Sequence, residues 1–221
     1  MTAQTARIAA LALCAALALC AALPLYGALA AATAANAAPP GPRDPDWPCQ
    51  QIKVPELSLA AVWGGPSVDP QQTDWQQDRS VAALAREIVQ RRQPLAQAQD
   101  KIHTFAQQAG TQKQQKLLAL LAAVFQVLDG ERSIVITGLD RFGARQKELA
   151  AGIREDNDKL RRLQSDSAAD AAEVNQMIQR VAWEAEVFQD RRQALSYACD
   201  VPGKIEQRLF ALARAIQQEL Q

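Results

Sequence analysis

The sequence predicts an all-α protein. It reads as a long antiparallel, coiled-coil-like helical hairpin plus short helices forming a bundle, with an extended Pro/Trp-rich N-terminal arm. Three observations carry that prediction. Alanine, glutamine and leucine dominate while aromatic residues make up only 5%, which is a helix-forming composition. From Asp78 onward apolar residues recur in alternating steps of three and four. Before that point prolines are too dense for any long helix.

Residues 1–37 carry the layout of a secretory signal. Arg7 supplies a basic start, Ile8 to Leu23 are all Ile, Ala, Leu or Cys, and Ala35-Asn36-Ala37 offers the small-x-small cleavage pattern. Residues 8–35 would also suffice as an uncleaved inner-membrane anchor. Cys14 and Cys20 raise lipoprotein processing, but Leu13 and Leu19 stand where a small residue is wanted.

The arm, residues 38–77, holds eight prolines and Gly64-Gly65, with one short helix expected over Glu56 to Trp63. Three of the four tryptophans, Trp47, Trp63 and Trp75, lie here. Disordered tails seldom carry such large apolar side chains, so the arm is expected to dock on the helical body.

Residues 78–221 form the expected bundle. Val81, Leu84, Ile88 and Arg91 mark a first helix, ending before Pro94. Leu95, Ala98, Ile102, Phe105 and Ala109 mark a second, with Pro94 in its first turn and Gly110 as its C-terminal cap. Then comes the strongest signal. Leu118, Leu121, Phe125, Leu128, Arg132, Val135, Leu139, Phe142, Gln146, Leu149, Ile153, Asp156, Leu160 and Leu163 keep a heptad register without a slip. The register passes straight through Asp129-Gly130, which argues for one continuous helix. Glycines 130, 138, 143 and 152 each cost it about 1 kcal/mol relative to alanine, so tertiary packing must offset them.

Gln164-Ser165-Asp166-Ser167 is a polar turn. A returning helix carries Val174, Ile178, Val181, Ala185, Phe188, Arg192, Leu195 and Cys199. Folding about residue 166 sets Arg192 near Asp140 and Cys199 near Arg132. Asp200-Val201-Pro202-Gly203 is expected to break the chain before a last helix with Ile205, Leu209, Leu212, Ile216 and Leu220 on one stripe. The long helix would span about 80 Å and the returning one about 48 Å. The surplus near residues 112–132 must therefore be covered by residues 78–109 and 203–220.

Charge and cysteine content bound the function. With Arg7 set aside, 23 basic residues face 24 acidic ones, a balance that gives no basic footprint for nucleic acid. Beyond the leader only Cys49 and Cys199 remain. In an oxidising compartment they most simply form one disulfide, the alternative being two separate thiols.

Chemistry finds little purchase. His103 is the only histidine and sits beside its helix's apolar stripe, at a solvent edge. There is no ExxH, CxxC, CxxCH, GxSxG or Gly-rich phosphate loop, so no cofactor, metal or catalytic site is expected. Glu184 and Glu186 point to different helix faces and read as solvated surface. Trp183 lies off the expected seam with Val187 one turn on. It either packs on the arm or serves as an aromatic anchor for a partner.

Trp47-Pro48-Cys49, Val54-Pro55-Glu56-Leu57-Ser58, Cys199-Asp200-Val201-Pro202 and Ile205-Glu206-Gln207-Arg208 together resemble uncharacterised exported helical proteins of proteobacteria, a group with no established activity. The resemblance implies a shared fold and the same cysteine pair. The expectation is a periplasmic, non-catalytic scaffold or adaptor. It would bind another envelope protein or itself through the hairpin, at Trp183, Val187 and the tip around Ser165. The alternative is a periplasmic binding module holding a small hydrophobic or metal ligand between arm and bundle. Membrane contact is expected only if the leader is retained.

Overall fold

A computed structural model describes residues 44–221; the leader, its cleavage site and Cys14 and Cys20 lie outside the described residues. Five α-helices follow in order: α1 (Arg79–Ile88), α2 (Leu95–Gln108), α3 (Lys113–Ser165), α4 (Ala171–Cys199) and α5 (Val201–Glu219). Short 3-10 turns stand at Leu59–Ala61, Trp75–Gln77 and Gly110–Gln112, and no strand occurs among the described residues. Of the short helix expected over Glu56 to Trp63, only the first of these turns forms.

Local signals set most boundaries. Asp78 caps α1, its carboxylate accepting from the backbone N–H of Ser80 and Val81. Gly110 ends α2 at φ 54°, the left-handed conformation that glycine adopts without strain. Two expectations shift slightly. Helix α1 stops at Ile88, leaving Arg91 on the surface beside Glu131 rather than on the stripe. Pro94 is the N-cap of α2 instead of a first-turn residue, its carbonyl accepting from Ala98 N–H.

Helix α3 runs unbroken through Asp129-Gly130, and none of its fourteen heptad positions is exposed. Its two halves meet different surroundings. Leu120 to Phe125 are buried in succession, on every side of the helix, because α1, α2 and α5 all pack against this half. Leu117, Leu121, Leu128, Ile205, Leu209, Leu212 and Ile216 are fully buried there. Among the described residues, α4 and the arm are what lies against α3 beyond about residue 140, and its seam residues there are half-buried.

The expected break after α4 does not occur as such. Asp200 alone separates α4 from α5, and it keeps helical φ and ψ. Pro202 falls in the first turn of α5, where its missing N–H leaves no bond unmade. The returning helix thus continues past Arg132 and itself covers much of the surplus length of α3, with α1 and α2 covering the rest.

The seam of α4 also differs from expectation. Met177 is buried while Ile178 is 42% exposed, and Ala185 and Arg192 face solvent. Val174, Met177, Val181, Glu184, Phe188 and Leu195 form the actual seam. The register follows from it: Gln146 donates to the Phe188 carbonyl at 3.1 Å, and Asp156 pairs with Arg180 at 2.8 Å. Glu184, expected on the solvated surface, is half-buried and pairs with Arg180 at 3.1 Å. Polar groups at such seam positions fix register at some cost in stability.

Candidate functional site

The arm is tied to the helices at successive points. Trp63 and Trp75 are buried in the core; Trp63 Nε1 donates to the Pro66 carbonyl and Trp75 Nε1 to Gln126 Oε1, both at 2.8 Å. Trp47 is half-buried, its Nε1 donating to the Gln51 carbonyl at 2.6 Å. Cys49 and Cys199 form a disulfide with a Cα–Cα distance of 5.6 Å.

Arg132 fastens the arm from the helix side. Its guanidinium is only 2% exposed; Nε donates to Glu206 Oε1 at 2.6 Å, and Nη2 to the Val54 carbonyl at 2.7 Å. Arg132, the first of three polar residues in the heptad, is therefore a clamp between α3, α5 and the arm. Asp140 does not meet Arg192. Its partner is Lys53, whose Nζ lies 2.9 Å from Asp140 and 2.5 Å from Asp44, above the Trp47 ring. The arm occupies the position that a hairpin-only register assigns to Arg192. The hydrogen bonds that the Lys53 ammonium donates to Asp44 and Asp140 hold it above its ordinary pKa, and the bond it donates to Asp44 holds that carboxyl below the usual carboxylate range.

Where the arm reaches α5 it borders a cleft of ≈ 400 Å³, lined by Trp47, Ile52, Val54, Ile136 and Pro202 with Arg132 and Lys204 at its polar side. His103 lies on the surface of the bundle, Nδ1 2.9 Å from Glu219 and Nε2 2.8 Å from Gln107. No group of three or more His, Cys, Asp or Glu is poised for a metal ion among the described residues.

The hairpin residues sort differently. Trp183 is 64% exposed, so it does not pack on the described arm. Val187, one turn on, is half-buried, and Ser165 is the last residue of α3, exposed, with Oγ donating to the Arg162 carbonyl. The Gln146–Phe188 and Asp156–Arg180 contacts set Trp183 level with about residue 152 of α3, so Ser165 lies about 20 Å further along at 1.5 Å per residue, and the tip and the tryptophan are separate features. Sequence reasoning missed Tyr197, which is 69% exposed, two heptads beyond Trp183 and on the same face of α4. That spacing was the signal available for finding it.

Comparison with family models, with curated proteins and with solved structures finds no match for this chain. No helix among the described residues is long and apolar enough to cross a membrane. A disulfide persists in oxidising compartments, which fits an exported protein.

Proposed function

We propose that the chain is a periplasmic, non-catalytic helical scaffold or adaptor that engages a protein through its hairpin. Trp183 carries this reading. A large aromatic side chain is left open to solvent on the hairpin that α3 and α4 build among the described residues. Aromatic side chains of this kind act as interface anchors, because they contribute large contact area at low entropic cost. The disulfide and the resemblance of the segments around Cys49 and Cys199 to exported proteobacterial proteins support the compartment. The test is crosslinking and pull-down of tagged protein from its native envelope, wild type against Trp183→Ala. A specific crosslinked partner, whether another protein or the chain itself, that disappears in the variant supports the adaptor reading. Identical crosslinking patterns from both proteins overturn it.

A second reading rests on the cleft between arm and α5, whose apolar wall of Trp47, Ile52, Val54 and Pro202 suits a small hydrophobic ligand. Native mass spectrometry of the protein from its own compartment tests it. A bound mass lost on Ile52→Asp supports the module, and a clean apo mass removes it.

A further inference from the structure

We propose that the partner of the hairpin is a second copy of this chain, docked across the face of the hairpin turned away from the arm; this rests on the adaptor reading above. On that face α4 presents Trp183, Asp190 and Tyr197, one heptad apart and all exposed. The bonds from Gln146 to Phe188 and from Asp156 to Arg180 fix which residues of α3 stand level with them. These are Gly152 beside Trp183, Arg145 beside Asp190, and Gly138 beside Tyr197. They too are one heptad apart, and they lie across α3 from Gly143, the residue the arm crosses. A Cβ at Gly138 or Gly152 would meet nothing within 4 Å. Each exposed aromatic of α4 is thus level with an empty notch on α3, and the exposed acid between them is level with an exposed base. Neither Arg145 nor Asp190 makes an ion pair among the described residues.

The pattern is self-complementary. A two-fold axis parallel to the hairpin sets α4 of one copy against α3 of the other at the same level, which is the isologous contact of a symmetric dimer. Trp183 and Tyr197 then enter the notches at Gly152 and Gly138 of the second copy, with Asp190 facing Arg145 between them. The two aromatics are about 21 Å apart along α4, the same separation as the two glycines along α3. The glycines, costly in a lone helix, would thereby become the sockets of an interface, and the charge pair would set its register.

Sedimentation velocity of the oxidised full chain over a concentration series tests this, using Arg145→Glu and Asp190→Arg. Each variant alone places two like-charge pairs in the dimer and is expected to weaken it about tenfold or more. A one-to-one mixture of the two restores both pairs, and dimerisation should return toward the wild-type level. Pairing within one chain gives no such rescue. Gly152→Leu fills open space in the monomer, so it should fold with undiminished helical circular dichroism yet sediment as a monomer. A wild-type dimer indifferent to all three substitutions overturns the proposed face. A wild type that stays monomeric at every concentration overturns self-pairing outright. If that monomer still yields a Trp183-dependent crosslink to another protein, the adaptor reading stands alone; if it yields none, both readings fall.

Discussion

Gly143 of α3 lies directly beneath the Asp46 carbonyl of the arm, so close that a Cβ at residue 143 would stand 2.0 Å from that oxygen and 3.2 Å from Pro48 Cδ. Backbone is the obstacle here, and no side-chain rotation relieves it. Gly143 is therefore the point where the arm crosses the long helix. Lys147, one turn on, holds the crossing through Asp46 at 2.9 Å.

The first prediction contrasts two glycines of the same helix. Gly143→Ala should lift the arm and destabilise the protein by about 1–3 kcal/mol, the range for a forced overlap. Gly130→Ala, where a Cβ meets nothing within 4 Å, should stabilise by about 1 kcal/mol through helix propensity. Thermal denaturation measures both. Limited proteolysis between residues 44 and 55 should accelerate only in the first.

Arg132 should behave as a clamp. Arg132→Ala leaves the Val54 carbonyl without its donor and Glu206 without its guanidinium partner. Glu206 is partly open to water and can be rehydrated, so the loss should be about 2–3 kcal/mol, short of that for a fully buried pair. Arg132→Lys should not recover it, because an ammonium cannot reach Glu206 and the arm carbonyls in one plane. Chemical denaturation of the three proteins provides the comparison.

How much of this was legible in the sequence varies by element. The heptad of α3 was legible in full, since its apolar steps are strict and its polar exceptions lie on the same face. The seam of α4 was not. Met177 or Ile178, and Glu184 or Ala185, satisfy three-four spacing equally well, and composition favours the wrong member of the second pair. Only packing against α3 and the arm decides. Lys53 gave no sign of its role, because Asp140 lies 87 residues away in the chain. Pro202-Gly203 reads as a breaker in isolation, yet a proline in the first turn costs the helix no hydrogen bond. Trp183 was singled out correctly as lying off the seam, whereas its exposure depends on where the arm runs.

Acid should act at the cap of α1. Asp78 bonds to Lys116 at 2.8 Å and to Ser80, and these bonds, Lys116 foremost, hold its carboxyl well below the usual carboxylate range. A depressed folded pKa means stability that is present above the ordinary carboxylate pKa and is lost as pH falls through the folded one. Thermal midpoints recorded from neutral to strongly acidic pH should fall less steeply for Asp78→Ala than for wild type. At neutral pH the variant should be about 1 kcal/mol less stable, the usual worth of a cap.

Reducing the disulfide should loosen the arm while sparing the helices. Chain-entropy arguments set its contribution at roughly 5 kcal/mol at most for a loop of this size. Cys49→Ser should lower the thermal midpoint and expose residues 44–55 to protease, with far-ultraviolet circular dichroism nearly unchanged. Loss of helical signal in step with arm cleavage would show instead that the arm is integral to the hairpin.

The bond between Cys49 and Cys199 spans 150 positions. Everything from α1 through α4 lies inside that ring, and α5 lies outside it. Cys49 emerges from the ribosome early and must wait for Cys199, a partner made near the end of synthesis. Its oxidation is thus a late event by chain order alone. A chain stalled anywhere before residue 199 carries a Cys49 without its native partner, a chemical mark by which incomplete molecules differ from finished ones.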